Sequence, residues 1–186
     1  HIPKPTGEAS VLGMADYGTD ISLKTAPAMF HLAPVLGRAH HATVDSVDTA
    51  EAAAMPGVVK VITAKDVPGI NRLFAAQGNV RSYNPEGMER PIICDSTVFR
   101  FGDVVAVVAA RSRAEARAAA AKVAVKPTPL PEYLSFSDAA APGAGRIHKA
   151  SPNVYQEQPV IKGQAPRPAM DKADAAVRGS FSTTRQ

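Results

Sequence analysis

The densest group of potential metal ligands in the sequence comprises His40, His41, Asp45 and Asp48. Histidine nitrogens and carboxylate oxygens are common ligands of transition metals. On an extended strand, however, His41 and Asp45 would share one face while His40 and Asp48 point to the other. Asp48 also stands where the N-cap of a helix is expected. The spacing therefore favours a hydrogen-bonded polar cluster at the head of a strand, and we predict no metal site.

The serines and the single cysteine are the potential nucleophiles. Ser10 lies near two aspartates and Ser46 lies near His41, but no Gly-x-Ser-x-Gly elbow accompanies either serine. Cys94 has apolar neighbours, which favour a buried and unreactive thiol. Gly143–Gly145 lacks the Gly-Lys-Ser/Thr ending of a phosphate loop. We predict that this chain carries no catalytic and no cofactor-binding residue.

Composition narrows the class of protein. Hydrophobic residues make up 45% of the chain and charged residues 20%, which is typical of globular proteins. One cysteine excludes an internal disulfide and the four-cysteine ligand set of an iron–sulfur cluster. The net charge is +4, but the basic residues are scattered and aromatic residues are few, which argues against nucleic-acid binding. No apolar run reaches the roughly 18 residues of a membrane span, so we expect a cytoplasmic protein.

The elements that would position these residues form two units of the same kind. In the first unit, Met29–Val35 and Thr43–Val47 are predicted strands. Asp48–Glu51 has the pattern of a helix capping box, and the helix should end at Pro56-Gly57. Val58–Ile62 is rich in β-branched residues and predicts the next strand.

The second unit repeats this order after the Gly102-Asp103 turn. Val104–Ala110 is apolar throughout, which predicts a strand that is buried on both faces. Ser112–Glu115 is a second capping box, and an alanine-rich helix should follow to about Lys122. Val123–Val125 is the next predicted strand, which we expect to stop at Pro127, Pro129 and Pro131 because proline cannot donate to a sheet ladder.

Three further segments have a different character. Asn71–Pro91 is polar and contains glycine and proline, so we predict a long loop. Ala139–Gly145 has the composition of a linker, and Pro152–Pro168 is predicted to lie extended over another surface. Apolar and polar residues alternate over Val177–Thr183, which predicts a final strand. Because that strand would run to the end of the chain, we expect a truncated piece of a longer protein.

Several local motifs together resemble one family over nearly the whole chain. They are His41-Ala42-Thr43-Val44, Met55-Pro56-Gly57-Val58, Asp66-Val67-Pro68-Gly69-Ile70-Asn71, Arg90-Pro91-Ile92-Ile93-Cys94-Asp95, Leu130-Pro131-Glu132-Tyr133 and Pro152-Asn153-Val154-Tyr155. In these motifs the chain resembles the molybdenum hydroxylases, the xanthine oxidase and aldehyde oxidoreductase family, and the bacterial aldehyde oxidoreductases most. The resemblance implies an α+β fold, the α/β-hammerhead domain, over residues 1–134. Residues 135–186 would be a linker and extended arm leading toward an absent molybdopterin-binding domain.

The resemblance also implies what the parent enzyme does. Such enzymes hydroxylate an aldehyde to a carboxylic acid at a molybdenum–molybdopterin cofactor, and [2Fe-2S] clusters carry the electrons away. The residues that hold these groups lie outside the hammerhead domain, so the fragment is expected to be inactive and to bind no cofactor. Its implied partners are the molybdopterin-binding domain and the iron–sulfur domain or subunit, with self-association expected for an isolated piece. The alternatives are a free-standing ligand- or protein-binding module, or the same domain of a xanthine, nicotinate or carbon monoxide dehydrogenase.

Overall fold

A computed structural model describes residues 4–26, 28–73, 90–154, 162–163, 165–181 and 183. The chain divides into two compact units, His1–Asn153 and Val154–Gln186. The helices of the first unit are α1 (Gly7–Val11), α2 (Gly18–Thr25), α3 (Ala50–Ala53), α4 (Arg113–Ala120) and α5 (Phe136–Ala139), with a 3-10 turn at Ala64–Asp66. Its strands are β1 (His31–Leu36), β2 (Ala42–Asp48), β3 (Val58–Ile62), β4 (Thr97–Val98), β5 (Val104–Ala110) and β6 (Ala124–Pro129). The second unit contains helix α6 (Pro166–Met170).

The six strands form two antiparallel sheets. One sheet has the order β1-β5-β3 and the other has the order β4-β2-β6. Both predicted strand–helix–strand units are present, as β2-α3-β3 and β5-α4-β6. Each unit contributes one strand to each sheet, so the two units interlock rather than forming separate layers.

The core lies around β5, whose residues are predominantly buried, as its apolar run predicts. Val105, Ala106 and Val108 are at most 1% exposed. Helix α4 packs on β1 and β5, and its inward-facing Ala116 and Ala119 are fully buried. Alanine side chains allow the helix backbone to approach the sheet closely, so small volume rather than large apolar area determines this packing.

Each of the two predicted capping boxes is formed in part. The Ser112 hydroxyl accepts a hydrogen bond from the Glu115 backbone at 3.2 Å and donates to its carboxylate at 2.8 Å. At the other box, Asp48 accepts from the Ala50 backbone at 2.9 Å, as predicted. The expected return bond from Glu51 is wrong, because the Glu51 carboxylate pairs with Lys122 at 2.7 Å. Asp48 is also the last residue of β2, so its backbone belongs to the sheet ladder.

Strand β6 contains two of the three prolines at which the sequence predicts it to stop. It continues to Pro129, and Pro127 and Pro129 lie opposite Val44 and Ala42 of β2. β6 is an edge strand with a neighbour on one side only. Proline is tolerated at an edge because an N–H that would face solvent is not needed for the ladder.

The two ends of the chain differ from the sequence-based prediction. Helices α1 and α2 occupy the beginning, where no helix is predicted. The predicted final strand is wrong, because residues 175–181 form no regular element and Val177 and Phe181 are more than 90% exposed. Alternation supports a strand only where a neighbouring strand accepts its hydrogen bonds.

Two other predicted segments lie largely outside the described residues. Residues 74–89 of the predicted loop are not described, but a bridge between Leu73 and Arg90 joins the two ends of this stretch. Residues 155–161 and 164 of the predicted extended segment are also not described, and its last residues belong to helix α6. Over the described part of the chain, no helix has both the length and the apolar character needed to cross a bilayer.

Candidate functional site

The potential metal ligands of the sequence are used separately in the fold. The His41 ring nitrogen Nδ1 donates to the Pro131 carbonyl at 2.6 Å. Asp45 accepts hydrogen bonds from Thr128 at 2.6 Å and from Thr43, which lower the pKa of its carboxyl. Asp48 caps α3. Among the described residues, no three histidine, cysteine or acidic side chains come together as a metal site.

Cys94 is a buried thiol, as predicted. It is 4% exposed and packs with Val98 and Val105. Burial raises its pKa to about 11, and the nearby Asp103 and Asp95 carboxylates add to the effect. The thiolate is the reactive form of cysteine, so this side chain is not an activated nucleophile.

The other candidate groups form only local contacts. The Ser10 hydroxyl donates to the Thr6 carbonyl at 2.8 Å within its own helix, and Ser46 is an exposed residue of β2. Tyr17 is 68% exposed. Gly143, with φ of 87°, lies in a turn. None of these residues joins a catalytic arrangement within the described part of the chain.

Three rings form a stack that sequence reasoning missed. The Phe99 ring lies 6.0 Å from the His41 ring and 4.4 Å from the His148 ring, nearly parallel to both. Burial lowers the pKa of His148, and the nearby His41 adds to this effect. Stacking of this kind prefers the neutral imidazole, because a buried charge is costly. Since Phe99 and His148 are far apart in the sequence, no local pattern could have indicated the contact.

The Asp103 carboxylate positions the backbone segment that carries Phe99. It accepts hydrogen bonds from the Phe99 backbone at 2.9 Å, from the Arg100 backbone at 3.2 Å and from the Arg100 guanidinium at 3.0 Å. Arg90 also contacts the Asp103 carboxylate at 3.4 Å. The Asp103 side chain is 10% exposed. The Asp103 backbone carbonyl accepts from Gly37 at 2.7 Å. The Asp103 turn thereby ties the end of β1 to the segment that carries Phe99.

Asn153 organises the segment that carries His148. Its side-chain nitrogen donates to the carbonyls of Ala139 and Gly145 at 2.8 and 2.9 Å. Its side-chain oxygen accepts from the Ile147 backbone at 2.9 Å. These bonds join residues on both sides of His148, so the segment up to Asn153 belongs to the first compact unit. The boundary between residues 134 and 135 remains a prediction.

An open groove of about 810 Å³ lies between β1, α4 and β6. Its apolar lining includes the exposed Leu32, Leu36 and Phe101. Phe101 follows the Phe99 segment, and its ring lies 5.5 Å from the His40 ring. The groove contains no pair of acid and base groups, so its chemistry is that of a contact surface.

Comparison with known proteins identifies the fold. The family model for the aldehyde oxidase and xanthine dehydrogenase a/b hammerhead domain matches residues 12–131. The chain belongs to this family. The two interlocked antiparallel sheets with their short helices are its hammerhead domain, which confirms the predicted fold class.

Individual relatives support the same assignment. The chain is 46% identical over 184 residues to the aldehyde oxidoreductase of Megalodesulfovibrio gigas, which is 99% of this chain and 20% of that protein. It is 34% identical to a probable xanthine dehydrogenase component of Bacillus subtilis, over 78% of this chain and 18% of the relative. The chain therefore spans about a fifth of these two relatives.

Solved structures agree. An aldehyde oxidoreductase structure from Desulfovibrio gigas superposes with a TM-score of 0.83 and 46% identity, covering 93% of this chain and 19% of that chain. The enzyme from Desulfovibrio desulfuricans gives 0.81 and 40%, with the same coverage. A copper- and molybdenum-containing carbon monoxide dehydrogenase gives 0.66 and 26%, covering 77% of this chain and 17% of that chain.

The thiolate ligand set of an iron–sulfur cluster does not fit the residues present here. Cys94 is the only thiol of the chain and is buried among valines, whereas an iron–sulfur cluster needs several thiolates.

Proposed function

We propose that this chain is the hammerhead domain of the molybdopterin-binding portion of an aldehyde oxidoreductase. The parent enzyme would oxidise aldehydes to carboxylic acids, and this domain would cover and brace the cofactor-binding portion without taking part in the chemistry. The observation that carries the proposal is the 46% identity over 184 residues to the M. gigas aldehyde oxidoreductase. The more distant dehydrogenase relatives match with lower identity, which favours an aldehyde substrate for the parent.

The polar side chains of the predicted cluster form separate hydrogen bonds, which supports a structural role for this chain. His41, Asp45 and Asp48 are each engaged in their own hydrogen bonds, and Cys94 is protonated at neutral pH. We expect no aldehyde oxidation by the chain alone.

Partners in this proposal are the molybdopterin-binding and iron–sulfur parts of the same enzyme. The strongly exposed Phe181 supports self-association of the isolated chain, and a reduced, buried thiol is compatible with the cytoplasm.

A domain graft tests the proposal. The matching segment of the M. gigas aldehyde oxidoreductase is replaced by this chain, and molybdenum content and aldehyde oxidation are measured. We expect the grafted enzyme to retain cofactor and to oxidise aldehydes, because the two segments share their fold. A matched control receives the corresponding domain of the carbon monoxide dehydrogenase, which is only 26% identical to this chain.

The proposal fails if the graft loses its molybdenum or its activity to the same extent as the control. It also fails if the isolated 186-residue chain oxidises aldehydes. A free-standing binding module would give the first of these results. A graft that accepts xanthine or nicotinate but no aldehyde would instead assign the domain to another branch of the family.

A further inference from the structure

The groove between β1, α4 and β6 has a positively charged rim. Arg38, Arg113 and Arg117 line it, all three are exposed, and no acidic residue is among the lining residues. Within the described part of the chain, none of these guanidinium groups forms an ion pair. Arg113 and Arg117 are four residues apart on α4, so their side chains project from the same side of the helix.

The carboxylate on α4 and one on the neighbouring helix α3 are occupied by other groups. Glu115 accepts from the Ser112 hydroxyl and lies against Gly57. Glu51, on α3, pairs with Lys122. The positive charge of the rim is therefore not neutralised within the described residues, and it is available to an external carboxylate.

The floor of the groove is apolar and open. Leu36 and Phe101 are 44% and 59% exposed although they line a concave surface. Strand β1 forms the edge of its sheet at this place, and Pro34 lies in the middle of that edge. Proline has no N–H to donate to an added strand, so Pro34 interrupts a continuous ladder. An occupant would have to bind through its side chains.

We propose that this groove docks a segment that carries carboxylates beside apolar side chains, supplied by the same enzyme outside residues 1–186. Its carboxylates pair with Arg113 and Arg117, and its apolar side chains cover Leu36 and Phe101. Charge complementarity selects an acidic segment, since guanidinium groups bind carboxylates in a bidentate manner. The identity of the partner as part of the same enzyme rests on the proposed function.

The test uses the 186-residue chain and two fluorescent, helix-forming peptides of leucine with either glutamate or glutamine. Fluorescence anisotropy gives the affinity of each peptide. The double variant Arg113→Glu with Arg117→Glu reverses the rim, and Lys172→Glu with Arg178→Glu makes the same charge change at exposed sites in the second unit. Glutamate at position 113 suits the helix dipole at the start of α4, whereas position 117 lies in its last turn. Both side chains are exposed, and the urea unfolding midpoint checks that the rim variant folds.

We expect the glutamate peptide to bind, the glutamine peptide to bind at least fivefold more weakly, and the rim reversal to weaken the glutamate peptide at least tenfold. The Lys172 and Arg178 changes should leave the affinity within twofold. Equal binding of both peptides, or no effect of the rim reversal, would overturn the proposal. The proposal would also be overturned if inorganic phosphate displaced the glutamate peptide completely and the leucines of the peptide contributed nothing to its affinity. The groove would then be a simple anion site.

The graft separates this inference from the proposed function. If the wild-type graft is active and the rim reversal lowers its activity or molybdenum content while the control reversal does not, the groove proposal stands. If both reversals are harmless in an active graft, the groove proposal fails and the proposed function is retained. An inactive wild-type graft contradicts the proposed function, and the peptide affinities then decide on the groove by themselves.

Discussion

Substituting Gly57 by alanine tests how closely the two strand–helix–strand units interlock. Gly57 follows α3 and has φ of 79°, in the left-handed region that side chains rarely adopt. A β-carbon at this position would overlap the carboxylate of Glu115, which accepts from the Ser112 hydroxyl at the start of α4 in the other strand–helix–strand unit. The Gly57 carbonyl also accepts from the Arg111 backbone at 2.9 Å. The added methyl group therefore disturbs both the turn after α3 and the contact between Ser112 and Glu115 at the start of α4.

The magnitude follows from two separable costs. Placing alanine at a positive φ costs about 1–2 kcal/mol. Moving the Glu115 carboxylate away breaks its hydrogen bond with the Ser112 hydroxyl, which costs a further ~1 kcal/mol. We expect Gly57→Ala to lower the free energy of unfolding by about 2–3 kcal/mol, the sum of the two.

Gly69 provides a matched control for the backbone cost. Its φ is 76°, and an added β-carbon would meet nothing within 4 Å. Urea unfolding followed by far-ultraviolet circular dichroism should therefore show Gly69→Ala destabilised by only about 1–2 kcal/mol. Adding Glu115→Ala to Gly57→Ala should cost less than the two single changes predict together. If Gly57→Ala and Gly69→Ala are equally destabilised and the double variant is additive, the proposed contact between the units is wrong.

Three further predictions concern the stack and its surroundings. Cys94 should resist a thiol reagent in the folded protein at about pH 8 and react fully in denaturant, since burial raises its pKa to about 11. The pKa of His148 is lower in the folded protein than its ordinary value of 6.5, so its contribution to the free energy of unfolding is present above pH 6.5 and is lost as the pH falls through the lowered pKa. His148→Phe should weaken this pH dependence in urea unfolding. Asp103→Asn should lower the free energy of unfolding by about 1.5–3 kcal/mol in the same assay, because its charged hydrogen bonds, including that from Phe99, are lost or weakened.

Sequence patterns predicted the elements that depend on short-range chemistry. The apolar run of β5 and the β-branched run of β3 have the predicted bounds. The Ser112 cap is formed as expected, because a hydroxyl and a glutamate three residues apart satisfy each other without distant help. Cys94 is buried as its apolar neighbours indicated.

The tertiary structure decided how these elements are combined. Periodicity says which face of a strand is apolar but not which strand it pairs with, so the exchange of strands between the two units was not predictable from it. Pro127 is accommodated because β6 lies at an edge, and Glu51 leaves its expected cap because Lys122 is brought beside it. The stack of His41, Phe99 and His148 depends on contacts between distant segments.

The sequence by itself therefore determined the local elements, the absence of a thiolate cluster within this chain and, through its motifs, the family. Only the tertiary structure decided that the polar side chains are dispersed into separate hydrogen bonds and that Arg113 and Arg117 face an open apolar groove. The physical reason is the distance along the chain over which the interactions act. Caps and strand propensities are set by neighbours in the chain, whereas grooves and ring stacks arise where the backbone brings distant residues together.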